Sequence, residues 1–172
     1  MNAWIRLISH LRFTGRQSVR TSRISYGGTA AVVTSTALVS GLGAANATTS
    51  VIVSALLVAA LADNLTDALS IHIFQESEQL DQREAFTGTV TNFFARFLLC
   101  ASFAILVGLF PQAVAARAAI AWGAVLLAAL TYLVARERRA NPWLEIVKHL
   151  VVASAVILAS TVIGYWVSAI LG

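Results

Sequence analysis

The sequence contains little charge, one cysteine and two prolines. Charged residues make up 12% of its 172 residues, whereas hydrophobic residues make up 58%. Soluble globular domains carry about 25% charged residues, so the composition excludes an ordinary soluble domain and indicates an integral membrane protein. The single cysteine, Cys100, excludes a disulfide within the chain and a metal site of several thiolates. Because prolines are so few, long helices can form without interruption.

Signatures of enzymes and of nucleic-acid-binding proteins are absent from the sequence. It contains no G-x-S-x-G nucleophile motif, no glycine-rich phosphate loop and no H-E-x-x-H pair. Its net charge is +4, but the arginines lie between apolar segments and do not form one patch interleaved with aromatic residues. We therefore expect no enzymatic activity, no bound cofactor and no nucleic-acid partner.

Uncharged segments are long enough to cross a membrane several times. No charged residue occurs from 24 to 62, which is too long for one helix of about 20 residues across about 30 Å of hydrocarbon. Glycine, asparagine and hydroxyl residues within 41–50 divide that stretch. No alternating pattern of barrel strands is present, so the sequence predicts an all-α integral membrane fold of five transmembrane helices. Their expected ranges are 27–45, 51–74, 87–110, 115–135 and 146–171.

Residues 1–25 form an arm that is rich in arginine and contains no acidic residue. Apolar side chains interleave with the charges at helical spacing, which predicts a basic amphipathic helix lying at the membrane surface. Residues 26–172 would then form one transmembrane domain. An arginine-rich, serine-rich and acid-poor segment is also typical of a mitochondrial transit peptide, and this alternative stays open. The arginines concerned are Arg6, Arg12, Arg16, Arg20 and Arg23.

Basic residues cluster at one end of the predicted helices. Besides the arm, they lie between the second and third helices and between the fourth and fifth, at Arg83, Arg136, Arg138, Arg139 and Lys148. Only Arg117 lies near the other end. The positive-inside rule therefore predicts a cytosolic N-terminus and an extracytoplasmic C-terminus. We expect a bacterial or archaeal plasma membrane in preference to an organelle membrane.

Two aspartates, Asp63 and Asp67, lie four residues apart inside the second predicted helix. This spacing puts both carboxylates and Ser70 on one helix face. A charge at such depth costs at least about 2.5–3.5 kcal/mol on insertion scales, so it usually faces a partner or a polar path. Arg96 in the third helix lies at about the depth of Asp67, roughly 13 Å inside the cytosolic boundary. The sequence therefore predicts a structural ion pair between Asp67 and Arg96.

No basic residue matches the depth of Asp63, which makes it the best candidate for binding a cation or a proton. Asn64 adds an amide oxygen on an adjacent face, and Asp67 and Ser70 continue the stripe. Oxygen ligands of this kind suit hard cations. We predict a metal-ion path along Asp63, Asn64, Asp67 and Ser70, with Asp67 either on the path or purely structural.

His72 lies about 140° around the helix from Asp67, so the two side chains do not share a face. It is expected to pair with Glu76 near the cytosolic end of the helix. The acidic residues of 76–84 could gather cations there, and a solvated charged loop is the alternative interpretation.

Short motifs in the first two helices resemble the vacuolar iron transporter family. Thr36–Ala45, which reads TALVSGLGAA, is similar to the end of the family's first helix. Ala68–Ile71, which reads ALSI, falls on the family's second-helix motif, and Gln82–Glu84, which reads QRE, falls on the tripeptide that often follows. The resemblance implies a five-helix protein that exports ferrous or manganous ions from the cytosol.

The chain also departs from that family in its ligands. Ala30 stands where the family has an aspartate, and Ile71 stands where it has a methionine. The family's cytosolic metal-binding insert is missing, whereas its second-helix carboxylate is retained in kind as Asp63. Loss of the soft methionine sulfur favours harder cations or protons over a site specific for ferrous iron.

Two alternative functions follow from these observations. In the first, the chain transports divalent metal cations such as iron or manganese across a lipid bilayer, with or without proton coupling, as a two-fold homodimer. A pore between two copies suits five helices, since an odd number leaves no simple internal repeat. Small residues of the first helix, from Gly41 to Ala45, are expected to form the dimer contact. In the second, the chain is a diverged, non-transporting membrane scaffold or interaction protein.

Overall fold

The computed structural model describes residues 27–77 and 82–171, and this part of the chain is helical apart from short connections. The helices are α1 (described over Gly27–Ala44), α2 (Thr49–Ser77), α3 (Gln82–Leu109), α4 (Gln112–Glu137) and α5 (Pro142–Leu171). All five are long and apolar enough to cross a membrane, which confirms the predicted all-α fold of five such helices. The predicted N-terminal amphipathic helix lies outside the described residues, as do Glu78 and Asp81.

Several helices begin earlier than the apolar pattern predicts. α3 begins at Gln82 and not at 87, and α5 begins at Pro142 and not at 146. The added residues are mainly polar in α3, which begins QRE, whereas those of α5 include Trp143 and Leu144. At the start of α5, Asn141 Oδ1 accepts a hydrogen bond from the backbone N–H of Trp143 at 3.1 Å, and proline is favoured in the first helical turn.

Two helices end in the same hydrogen-bonded turn, although neither turn uses glycine. After α1, the N–H of Asn46 donates to Gly43 O and the N–H of Ala47 donates to Leu42 O. After α4, Arg139 and Ala140 repeat this pattern, with the carbonyls of Arg136 and Ala135 as acceptors. The left-handed residues are Asn46, with φ 58°, and Arg139, with φ 55°. Such turns satisfy the last carbonyls of a helix and reverse the chain.

Helix α1 lies at the centre of the bundle. Half of its residues are buried, compared with 11% of the most apolar stretch of α5. Gly28 faces Leu99 of α3 and Leu130 of α4, and Val32 and Val39 join the main apolar core. The rest of that core comes from the other four helices, with Leu56, Phe103, Leu127 and Ala153 among its members.

Small residues bring α1 and α5 into close contact. Ser160 Oγ donates to the backbone carbonyl of Ala37 at 2.6 Å. A Cβ added at Gly164 would clash with the backbone carbonyl of Gly41 and lie 3.0 Å from Ala44 Cβ. Gly41 and Ala44 were expected to contact a second copy, but in the structure they pack against α5 of the same chain. Absence of a side chain at glycine permits this approach of two backbones.

The contact between α1 and α5 predicts opposite effects for two glycine substitutions. Gly164→Ala should lower the free energy of unfolding by about 1–3 kcal/mol, because the added methyl overpacks a backbone contact. Gly108→Ala is the matched control, since a Cβ there meets no atom within 4 Å and alanine raises helix stability by up to about 1 kcal/mol. Unfolding of the purified protein in detergent measures both, and equal stability of the two variants would contradict the close contact.

Candidate functional site

Asp63 lies at the middle of α2 and faces outward from the bundle. It is the central residue of the helix Thr49–Ser77, which puts it about 21 Å from either helix end. Its side chain is exposed. Within residues 27–77 and 82–171 it forms no hydrogen bond or ion pair. A carboxylate is therefore presented on the outer surface of the bundle at the depth where a charge is least tolerated.

Helix α2 has two exposed faces of different chemistry. One is a leucine face, which contains Val58, Leu61, Leu65 and Leu69, each more than half exposed. The other is an aspartate face, which contains Asp63, Thr66 and Ser70, all exposed. Leu65 is about 200° around the helix from Asp63, so the two faces point in nearly opposite directions. The leucine face suits lipid, whereas the aspartate face does not.

The hydroxyl groups of the aspartate face are bonded within their own helix. Thr66 Oγ1 donates to the carbonyl of Ala62 and Ser70 Oγ donates to the carbonyl of Thr66, both at 2.9 Å. Their protons are thus used within the helix, although both residues are exposed. Ser70 was predicted to lie on the ion path. It shares the outer surface with Asp63, but no hydrogen bond joins the two side chains within the described residues.

Asp67 lies one turn beyond Asp63 and contacts Arg96 of α3. Arg96 Nη1 donates to Asp67 Oδ2 in an ion pair. The arginine side chain is 7% exposed and the aspartate side chain is 45% exposed. The cation is therefore buried between helices while one edge of the carboxylate reaches the aspartate face. The structure brings together the two residues whose depths match in the sequence.

Asn64 lies inside the bundle and belongs to the same cluster. Its Oδ1 accepts a hydrogen bond from Arg96 Nε at 2.9 Å, and the residue is 1% exposed. The sequence predicted Asn64 as a ligand on the ion path, next to Asp63. Consecutive residues of a helix point about 100° apart. The side chain of Asn64 therefore faces the interior, where its oxygen accepts the bond from Arg96, while Asp63 faces outward.

Asn92 is a member of the cluster that the sequence analysis missed. It is 2% exposed, and neither Nδ2 nor Oδ1 has a hydrogen-bond partner in the described structure. Gly27 of α1 makes room for it, because a Cβ there would lie 2.7 Å from Asn92 Oδ1 and 2.9 Å from Arg96 Cδ. A signal was present in the sequence, since Asn92 precedes Arg96 by four residues and so shares its helix face.

One copy of the chain does not complete a metal site within its described residues. They contain no group of three or more His, Cys, Asp or Glu side chains placed to hold a metal ion. Cys100 is buried beside Ala31 and Ala60. His72 is half-buried, and the side chain of Glu76, its expected partner, lies outside the described residues.

Comparisons with family models, with curated proteins and with solved structures find no match to this chain.

The Asp67–Arg96 pair predicts strong energetic coupling. Asp67→Asn or Arg96→Gln alone should lower the free energy of unfolding by up to about 3–5 kcal/mol, because each leaves a charge without its partner. The double variant should recover much of that loss. Asp63→Asn is the control, since it removes a carboxylate that has no partner in the described structure. Unfolding in detergent gives the double-mutant cycle, and losses that simply add would show that the two residues do not interact.

Proposed function

We propose that the protein is a homodimeric membrane transporter of divalent cations, in which the aspartate faces of two copies line a shared path. The observation that carries this proposal is the exposed carboxylate of Asp63 at the centre of a membrane-spanning helix. The cytosolic N-terminus inferred from the distribution of basic residues belongs to the same proposal, with the cytosolic mouth at the α2–α3 end.

The cost of exposing Asp63 to lipid supports a protein partner on this face. A charged group at the bilayer centre costs at least about 2.5–3.5 kcal/mol, and two hydroxyl side chains on the same face add further polar surface. The leucine face on the other side of α2 needs no such cover. A second copy is the simplest partner, because a two-fold axis covers the same face of both chains at once.

Two-fold pairing through the aspartate face creates a site for a cation. It brings two Asp63 carboxylates together, and like charges in a shared site repel unless a proton or a cation lies between them. Asp67 of each copy adds a partly exposed carboxylate one turn away. Two copies together thus supply twice as many carboxylate oxygens as one copy. Oxygen ligands of this type suit Mg²⁺, Mn²⁺ and Fe²⁺.

The resemblance to the vacuolar iron transporter family supports iron and manganese as the first cations to test. Asp63 stands where that family keeps a carboxylate, although Ile71 replaces its soft ligand. The scaffold alternative has its own support, because Arg96 neutralises Asp67 and the hydroxyls of Thr66 and Ser70 are bonded to their own helix. Transport and scaffold differ in whether Asp63 is needed for ion movement.

The proposed dimer predicts face-specific cross-linking. In a Cys100→Ser background, Thr66→Cys and Ser70→Cys should each form a disulfide between copies in membranes, because these positions border the two-fold axis. Leu65→Cys is the matched control on the leucine face and should form no disulfide between copies, although the dimer itself persists. Cross-linking is read on non-reducing gels, and efficient cross-linking of Leu65→Cys alone would place the interface on the opposite side of α2.

The transport proposal predicts that Asp63 is required for cation flux. Wild-type protein in proteoliposomes should move Mn²⁺ or Fe²⁺, Asp63→Asn should abolish that flux while remaining folded, and Asp63→Glu should keep partial activity because the charge is retained. His72→Ala should have a smaller effect, since its side chain lies off this face. Wild-type flux from Asp63→Asn, or no divalent flux from wild type, would favour the scaffold function instead.

A further inference from the structure

The geometry points to Arg96 as an internal cation that changes partners when a divalent cation binds on the aspartate face. Its guanidinium then leaves the carboxylate of Asp67 and donates to the amide oxygen of Asn92, a change called here the exchange. This inference rests on the proposed function, since it describes how the ion path accommodates and releases its cation. Arg96 is a positioning residue in this scheme, because it acts through Asp67 and does not itself touch the transported ion.

Arg96 has little access to water at its place between the helices. Its side chain is 7% exposed, and its Nε is held by Asn64 Oδ1 at 2.9 Å. A buried guanidinium without a hydrogen-bond acceptor is strongly disfavoured. Any cation that displaces it from Asp67 therefore requires a second acceptor inside the bundle.

Asn92 supplies that acceptor. Its Oδ1 is buried and has no partner in the described structure. The point where a Cβ would lie on Gly27 is 2.7 Å from Asn92 Oδ1 and 3.3 Å from Arg96 Nη1. Both atoms thus border the same small space, which glycine leaves open on α1. Rotation of the guanidinium end into this space would bring Nη1 to the amide oxygen while Nε stays on Asn64.

An unpaired amide at this position is otherwise a cost to the fold. A buried polar group without a partner loses its hydrogen bonds to water and gains none in the protein. An apolar side chain of similar size would avoid that loss. The exchange gives the amide oxygen a hydrogen-bond partner in the cation-bound state. The role of Asn92 in accepting Arg96 therefore accounts for the free-energy cost of the unpaired amide in the cation-free state.

Charge balance sets the role of the exchange in transport. With Arg96 on Asp67, the two carboxylates and the guanidinium of one chain together carry a net charge of −1, which lies on Asp63. With Arg96 on Asn92, both carboxylates are free for the cation. The return of Arg96 to Asp67 then competes with the bound ion and promotes its release. Arg96 therefore lowers the affinity for the cation and raises the turnover of transport.

Asn92→Leu is the decisive variant because it removes the second acceptor without removing a bond that exists in the cation-free state. Mn²⁺ is the probe, with binding measured by electron paramagnetic resonance in detergent and flux measured in proteoliposomes. We expect Asn92→Leu to raise the Kd and the KM for Mn²⁺ by at least about fivefold, the lower end of typical coupling between sites. Its thermal stability should equal or exceed that of wild type, because an unpaired buried amide is removed.

Thr131→Val is the matched control, since Thr131 Oγ1 is also buried and without a partner in the described structure but lies on α4. It should leave Mn²⁺ binding unchanged. Arg96→Gln tests the other half of the exchange and should lower both the Kd and kcat, because no internal cation then competes with Mn²⁺. If Arg96→Gln does not fold, Asn92→Leu and its control still decide.

The outcomes separate this inference from the proposed function. Wild-type Mn²⁺ binding and flux in Asn92→Leu would overturn the exchange and leave the transporter proposal standing. Weaker binding accompanied by an equal loss of stability would show that the amide is structural and would also overturn it. If wild-type protein neither binds nor moves Mn²⁺ or Fe²⁺, the proposed function fails and the exchange fails with it.

Discussion

The burial of the Arg96 guanidinium between apolar helices is the constraint on which this site depends. A cation at that position requires acceptors within the protein, and α2 supplies two of them, Asp67 Oδ2 and Asn64 Oδ1. These bonds fix the rotation of α2 relative to α3, because both acceptors must reach one side chain. Once that rotation is fixed, the side chain of Asp63, one turn before Asp67, is directed outward.

The two carboxylates of α2 consequently have different environments although they lie one turn apart. Asp67 forms an ion pair with the buried guanidinium of Arg96 and is itself partly buried. Asp63 is exposed on the outside of the bundle and has no partner in the described part of the chain. In a soluble protein such an aspartate would need no explanation, since water would solvate it. In a helix that crosses a membrane it requires a second chain, a proton or a cation.

Close packing around α1 excludes its small residues as a contact surface for a second chain. The small residues of α1 are used within the chain, with Gly28 against α3 and α4 and Gly41 against α5. Helix α5 is exposed over most of its length but presents mainly apolar side chains, as lipid contact requires. The aspartate face of α2 therefore presents a carboxylate, unpaired among the described residues, at the centre of a helix long enough to cross a membrane.

Apolar length and composition predicted the five membrane-length helices and their approximate limits. The rise per residue of a helix also predicted how deep each charged residue lies. Asp67 and Arg96 lie at equal depth on two antiparallel neighbouring helices, so their contact could be predicted from the sequence. Only the packing of the helices shows that Asp63 faces outward while Asn64 faces inward, and that Gly41 packs against α5. The physical reason is that lipid-facing and core-facing side chains in a membrane are equally apolar. Periodicity therefore gives the angle between two residues on a helix but not the direction in which that helix faces its neighbours.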